Sequence, residues 1–335
     1  MKRGSSVLHA MNGAGRTFAL AVSLLGLTLG VGAQAAPAAK TATRGPALSR
    51  SELRLLRDFG LSGLERRAAN HGFSLYDMED ERALGDAVAE QIEATTTLLQ
   101  DESLDRYLGG LASKLGTAAR VGDVPRVRIV ESNEVNASAL PNGTIYVTTG
   151  LVLAADDESE LAGVLAHEIA HVTEHHAARS MSRRFLWNVA SVAASMFSGG
   201  VAGFVAPQVA GAAGSLLSLK FDRRSESEAD ILGSEYLYLA GYDHDGLMKF
   251  LARVQQSPAA DRSRFDKLLR THPDSQERIR STTAALLLLI PADATGLVVD
   301  SSEFQQAKAR AAELTDRSGG LARRPRLRTR TAESN

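Results

Sequence analysis

The chain has 335 residues, 44% of them hydrophobic, which is enough for one large domain or two smaller ones. Its 38 basic and 39 acidic residues leave a formal net charge of -1, so no overall field attracts nucleic acid or an anionic membrane surface. The sequence contains no cysteine, which excludes a structural disulfide, a cysteine nucleophile, a thiolate metal site and a lipid-modified N-terminal cysteine. Any metal must therefore be held by histidine and carboxylate side chains.

The N-terminus has the order of residues that is typical of a secretory signal. A basic start precedes the uncharged run 17–32, and small residues at Ala33 and Ala35 follow it. The apolar part is shorter than the roughly 20 residues that a membrane-spanning helix needs. We therefore predict a signal peptide over residues 1–35 and a periplasmic location in a bacterium, where a cysteine-free chain escapes unwanted oxidation. An uncleaved N-terminal anchor is the alternative, and it also places the remainder outside the cytoplasm.

The rest of the chain is divided by its composition. Residues 36–50 lack periodicity and predict a disordered linker. Residues 51–290 are expected to form the main domain, and residues 291–335 a C-terminal extension with a basic, disordered tail. A helical lead-in is predicted from about 79 to 119, because apolar residues recur there at helical spacing. These residues are Leu98, Leu99, Leu104, Leu108, Leu111 and Leu115.

Two alternating segments then predict strands. Val127 and Ile129 alternate with other residues, as do Ile145 and Val147, which is typical of half-buried strands. The segment 136–143 between them ends in Pro-Asn-Gly, a strong turn signal. We expect a small antiparallel sheet.

A helix should follow the second strand. Asp156 and Asp157 offer N-caps, and Glu158 and Glu160 place negative charge in the first turn, where the helix dipole favours it. The helix is expected to end at about Ser180.

This helix carries the pattern His-Glu-x-x-His. Residues four apart share a helix face, so the rings of His167 and His171 can reach one ion, with Glu168 beside them. The alternative is a polar helix face rich in His and Glu. We expect His175 and His176 only to finish the helix, because imidazoles suit its C-terminal end.

A long uncharged segment, 185–219, comes next. It favours a hairpin of two short hydrophobic helices lying against the core, and one tilted membrane span is the alternative. The hairpin is also expected to allow peripheral contact with lipid. Further helices are predicted at 226–240, at 247–254 and at 276–289, the last of them stopped by Pro291.

A catalytic zinc needs a third protein ligand and one open position for water. Glu226 and Asp230 lie four residues apart and face the same way on the next charged helix, with Glu228 turned aside. If Glu226 binds the metal, Asp230 can accept the free N–H of a ligand imidazole. The alternative is an ordinary solvated helix face rich in Glu, which these residues alone would favour. Only their combination with His167 and His171 favours a metal site.

Four motifs together resemble a known family. They are His167–His171, the Glu-x-x-Ala-Asp of 226–230, the Asn-Ala-Ser-Ala-Leu-Pro-Asn-Gly of 136–143, and Thr271-His272-Pro273 with Arg278. Their order over roughly residues 95 to 290 resembles the HtpX and BepA type of zinc metallopeptidases, relatives of the CAAX prenyl protease. The several transmembrane helices of the HtpX branch and the helical-repeat extension of BepA have no counterpart here. The resemblance implies a zincin-like α+β fold, mainly α-helical, and one zinc per chain held by His167, His171 and Glu226.

The resemblance also implies roles for residues outside the zinc ligands. It implies that His272 lies near the metal, where it fills the open position or stabilises the oxyanion, and that Arg278 supports the site. Taken alone, His272 is more typical of a turn. The segment from Asn136 to Thr148 resembles the family's strand beside the cleft, and its edge is expected to pair with substrate backbone. The candidate substrate-binding residues are Asn136, Ala137, Ala139, Pro141 and Gly143.

These residues predict a zinc-dependent metalloendopeptidase. Zinc would lower the pKa of its bound water, and Glu168 would take the proton of that water and return it to the leaving amine. The expected partners are unfolded or misassembled envelope proteins, with no nucleic acid, and the sequence does not predict an oligomeric state. An alternative is a chaperone-like protein for outer-membrane protein assembly with gated or little proteolysis. A structural metal site is disfavoured, because such a site needs no base like Glu168.

Overall fold

A computed structural model describes most of the chain from residue 74 onward. The described residues are 74–184, 186, 220–258, 262–273, 276–291 and 293–322. The predicted signal peptide, the linker at 36–50, the hairpin at 185–219 apart from Leu186, and the tail beyond residue 322 lie outside them.

Two helices and a short strand form the lead-in. Helix α1 spans Met78–Thr95 and begins with a capping box between Asp77 and Asp80, and α2 spans Glu102–Ala118 with Asp101 as its N-cap. The prediction of uninterrupted helical structure is wrong at Leu98–Leu99, which forms strand β1. Leu98 and Leu99 pair with the next strand, so tertiary pairing overrides their helical spacing. The later leucines are buried on one face of α2, as predicted.

The sheet has four strands in the order β1-β2-β4-β3. Strand β2 is Arg126–Val130, β3 is Ala137–Ala139 and β4 is Thr144–Thr148. The expected antiparallel sheet is wrong for the central pair, since β2 and β4 run parallel, while β1 with β2 and β3 with β4 are antiparallel. The strand that follows β2 in the chain, β3, does not pair with it. Instead β4 lies between β2 and β3 and pairs with both.

The predicted Pro-Asn-Gly turn is confirmed between β3 and β4. Gly143 has a φ of 78°, a left-handed conformation that favours glycine, and its N–H donates to the carbonyl of Leu140 at 2.9 Å. The turn places β3 at the edge of the sheet.

The His-Glu-x-x-His motif lies on a buried helix. After α3, Thr149–Ala154, helix α4 spans Glu158–Thr173 with Asp157 as its N-cap. The predicted end at Ser180 is wrong, because His175 has a φ of 52° and breaks the helix, and residues 176–184 form a separate helical segment.

Further helices follow along the chain, and the first two of them pack directly on α4. They are α5 (Arg223–Leu239), α6 (Gly246–Gln256), a 3-10 turn (Ser263–Phe265), α7 (Asp266–Thr271), α8 (Gln276–Leu289) and α9 (Ser302–Ala322). The predicted helices at 226–240, 247–254 and 276–289 are thereby confirmed. Phe304 on α9 is fully buried in the same core as α4. The domain limit at residue 290 stays a prediction. Helix α9 follows this limit in the chain but packs into the same core.

The architecture is α+β and mainly helical, with α4 at its centre between the small mixed sheet and α5 and α6. Within the described ranges, no helix combines the length and the apolar character needed to cross a bilayer.

Candidate metal centre

Four side chains from three parts of the fold converge at the centre of the molecule. They are His167, His171, Glu226 and His272, whose ligand atoms all lie within 4.8 Å of one another. The Nε2 atoms of His167 and His171 are 3.0 Å apart, and carboxylate oxygens of Glu226 lie 3.6 Å from each of them. His272 Nδ1 is 3.2 Å from His167 Nε2 and 3.0 Å from Glu226 Oε1. All four side chains are buried.

Local structure explains why these residues meet. His167 and His171 lie one turn apart on α4, and Glu226 lies in the first turn of α5. Helix α5 approaches α4 closely at Gly233, where a Cβ would lie only 3.0 Å from the backbone nitrogen of His167. His272 ends α7, because the following Pro273 disfavours a helical conformation at the residue before it.

The donor set fits a zinc ion. A polar atom lies near the Nδ1 of each helix histidine: Asp230 Oδ1 is 3.1 Å from His167 Nδ1, and His176 Nδ1 is 2.8 Å from His171 Nδ1. If both rings carry their protons on Nδ1, the two Nε2 lone pairs face each other across 3.0 Å, a repulsive contact that a bound cation would relieve. Imidazole nitrogens with a carboxylate are the ligands that zinc prefers where thiolates are absent.

The electrostatics favour the metal-binding protonation states. Burial, and then the neighbouring His167, hold the pKa of His171 well below its ordinary value, which keeps the ring neutral as a ligand requires. Burial would raise the pKa of Glu226, but His272 and Arg278 beside it lower that pKa below its usual range. Glu226 is therefore ionised at neutral pH.

Arg278 connects Glu226 and Asp230 on α5. Its Nη1 lies 2.8 Å from Glu226 Oε2, its Nη2 donates to Asp230 Oδ1 at 2.7 Å, and its Nε donates to Asp230 Oδ2. Burial would raise the pKa of Asp230, but Arg278 lowers it to about 2. Asp230 is an ionised, fully buried acceptor beside His167.

Glu168 lies between the strand edge and His272. Its Oε2 accepts a hydrogen bond from the backbone N–H of Ala139 at 2.9 Å, and its Oε1 lies 3.3 Å from His272 Nε2. Burial would lower the pKa of His272, but the charges of Glu226 and Glu168 raise it.

The predicted substrate-binding segment is only partly brought to this centre. Ala139 on the edge strand contacts Glu168, and Ala137 precedes it on the same strand. The backbone of Asn136 instead bonds with Thr148 on β4. Pro141 and Gly143 lie beyond the strand, in the turn to β4.

Sequence reasoning missed two residues that contact His171. His176 does not finish the helix: it is buried, and its Nε2 lies 3.3 Å from Glu228 Oε2. The ring of Phe221 stacks on His171 with centroids 4.0 Å apart. Five-residue spacing gave no signal for His176, because residues five apart point about 140° away from each other on a regular helix.

A buried His-Glu-x-x-His helix with a carboxylate from a second helix defines a metallopeptidase centre. Residues 98–285 match Peptidase family M48, more than half of the chain, and the chain therefore belongs to this family of metallopeptidases. Among its relatives is the beta-barrel assembly-enhancing protease of Escherichia coli (strain K12), 31% identical over 248 residues, which cover 71% of this chain and 49% of the relative. The protein of that name from Yersinia pestis is 32% identical over 216 residues, 60% of this chain and 43% of the relative.

A shorter relative matches over more of its own length. Metalloprotease YcaL of Escherichia coli (strain K12) is 26% identical over 205 residues, 61% of this chain and 79% of the relative. The chain spans less than half the length of the two beta-barrel assembly-enhancing proteases.

Proposed function

We propose that the protein is a zinc-dependent metalloendopeptidase that hydrolyses peptide bonds of unfolded or misassembled envelope proteins. The observation that carries this proposal is the convergence of His167, His171 and Glu226, with Glu168 one residue along the same helix from a ligand. Family membership supports hydrolysis of peptide bonds as the reaction.

His167, His171 and Glu226 would hold one zinc ion per chain. Zinc in such a site supplies Lewis acidity and lowers the pKa of water toward about 7. Asp230, with Oδ1 3.1 Å from His167 Nδ1, would orient this ring as a hydrogen-bond acceptor, and Arg278 would keep Glu226 and Asp230 ionised and in place.

Glu168 is the proposed base. The N–H of Ala139 holds Oε2, so Oε1 is the oxygen directed at the reacting groups. Glu168 accepts a proton from the attacking water and then delivers it to the nitrogen of the leaving amine. His272, 3.3 Å from Glu168 Oε1, adds a donor for the oxyanion that develops on the scissile carbonyl.

A second function is favoured by the position of His272. Its Nδ1 lies within the ligand cluster, and the ring is 5% exposed, so in this state it occupies space that a substrate carbonyl needs. A chaperone-like protein with gated proteolysis would have such a resting state, in which His272 lies in the ligand cluster. It would hold unfolded chains and cleave them rarely.

The substrate class and location rest on the relatives. Two of them are beta-barrel assembly-enhancing proteases, which supports envelope proteins as substrates and a periplasmic location. The edge strand β3 lies beside Glu168, where an added substrate strand would bring its backbone to the base. Peripheral membrane contact through residues 185–219 remains part of the proposal.

Cleavage of unfolded casein by the purified, zinc-loaded chain tests the proposal. Glu168→Gln keeps the shape of the side chain but removes the base, so we expect cleavage to fall by at least about 100-fold while zinc stays bound. Retained cleavage in this variant would reject Glu168 as the base. Suppression of aggregation without cleavage by the unaltered protein would favour the chaperone-like function.

A further inference from the structure

The metal-binding helix is followed by a break at a left-handed residue. Helix α4 ends at Thr173, and His175 adopts a left-handed φ of 52°. The carboxylate of Glu81 on α1 lies 2.8 Å from His175 Nδ1 and holds this turn. A left-handed conformation is unfavourable for a residue with a side chain, so the surrounding structure must maintain it.

The break at His175 brings His176 into contact with His171. The two Nδ1 atoms lie 2.8 Å apart, and the ring centroids are 4.8 Å apart. In an uninterrupted helix the two side chains would point about 140° apart and could not meet. His176 is completely buried, so its ring has no access to water that would satisfy its nitrogens.

The hydrogen bonds allow one consistent assignment of protons. A His171 ring that offers Nε2 to a metal carries its proton on Nδ1 and donates it to His176 Nδ1. His176 then carries its own proton on Nε2 and donates it to Glu228 Oε2, 3.3 Å away. Arg179 Nη1 lies 3.7 Å from the same oxygen and favours an ionised Glu228.

This arrangement parallels the support of the other helix histidine. His167 faces the carboxylate of Asp230 directly, whereas His171 reaches the carboxylate of Glu228 through the ring of His176. Phe221 stacks on the face of His171, so contacts at both the edge and the face define the orientation of the ring.

We propose that His176 and Glu228 are positioning residues that fix the tautomer and orientation of His171 for metal binding. This inference rests on the proposed function, because it takes His171 as a zinc ligand. It concerns how the chain's own residues prepare the site, and neither residue needs to touch substrate.

Zinc affinity, measured by competition with a chelator, tests the inference without any assay of cleavage. His176→Leu fills similar space but removes the acceptor for His171, and we expect zinc to bind about 10- to 100-fold more weakly. His176→Asn restores an oxygen near the position of Nδ1 and should stay within about threefold of the unaltered protein. The visible spectrum of bound Co²⁺ should change in the Leu variant and be restored in the Asn variant.

A second pair of variants covers the case in which His176→Leu does not fold. Glu228→Leu removes the acceptor for His176 and should weaken zinc binding, whereas Glu228→Gln keeps an acceptor and should weaken it less. His244→Asn is the matched control for loss of an imidazole, since His244 lies between α5 and α6, next to Tyr238. This control should bind zinc unchanged.

The outcomes separate this inference from the proposed function. Zinc binding that survives in His171→Ala, or is missing from the unaltered protein, would reject the metal site itself. Zinc binding that is lost in His171→Ala but unchanged in His176→Leu or in Glu228→Leu would overturn only the positioning role. Equal weakening by Leu and Asn at residue 176 would also overturn it, because filling space would then be the only role of the ring.

Discussion

We expect the close contact between α4 and α5 at Gly233 to set the distance between the helix histidines and Glu226. A Cβ at Gly233 would lie 3.0 Å from His167 N, 3.1 Å from His167 Cα and 3.2 Å from Ala166 C. These neighbours are backbone atoms and cannot rotate away. Since carbon atoms pack at about 3.5 to 4.0 Å, Gly233→Ala must push the two helices apart by about 0.5 Å.

The effect on stability is expected to be small and the effect on metal binding large. Overpacking destabilises a protein by about 1 to 3 kcal/mol, whereas the better helix propensity of Ala stabilises it by about 1 kcal/mol. The free energy of unfolding should therefore fall by about 0 to 2 kcal/mol. Metal sites tolerate about 0.2 Å in their ligand distances, less than the expected displacement of Glu226 relative to His167. Gly233→Ala should therefore weaken zinc binding about tenfold or more.

Zinc titration and urea unfolding of the metal-free protein measure the two effects separately. Gly109→Ala on α2 is the matched control, because a Cβ there would have no atom within 4 Å. It should gain about 1 kcal/mol from helix propensity and bind zinc unchanged. If Gly233→Ala bound zinc as tightly as the unaltered protein, the spacing between α4 and α5 would not control the site.

Three further predictions concern stability. Arg278→Leu leaves the fully buried carboxylate of Asp230 without its cation. Urea unfolding should show that the free energy of unfolding falls by about 3 to 5 kcal/mol. A decrease below about 1 kcal/mol would contradict a stabilising role for this buried ion pair. Phe304→Ala should lower the free energy of unfolding by about 3 to 5 kcal/mol, because the side chain is fully buried. A negligible decrease would show that α9 is not part of the core. Hydrogen bonding to Glu81 raises the pKa of His175 in the folded protein. The interaction of His175 with Glu81 therefore stabilises the fold fully below the pKa of histidine in the unfolded chain, about 6.5. This stabilisation is lost as the pH rises through the pKa of His175 in the folded protein. The difference in melting temperature between the unaltered protein and His175→Asn should therefore shrink as the pH rises, and a constant difference would refute this linkage.

Local signals in the sequence determined where α4 begins and where the chain turns between β3 and β4. Asp157 begins α4 because its carboxylate accepts a backbone N–H, and Pro-Asn-Gly turns the chain because Gly143 takes a left-handed conformation. The four-residue spacing of His167 and His171 is sufficient by itself to place both rings on one helix face. Caps, turns and helical periodicity depend on residues a few positions apart, so a single sequence contains them in full.

Tertiary structure alone decided the parallel pairing of β2 with β4 and the position of His176. Alternation of apolar residues shows which side of a strand is buried but does not reveal the direction of its neighbour. The contact of His176 with His171 depends on a left-handed residue held by Glu81, 94 positions earlier in the chain. The same holds for His272, which reaches the cluster across 105 positions, because such distant contacts form only when helices pack.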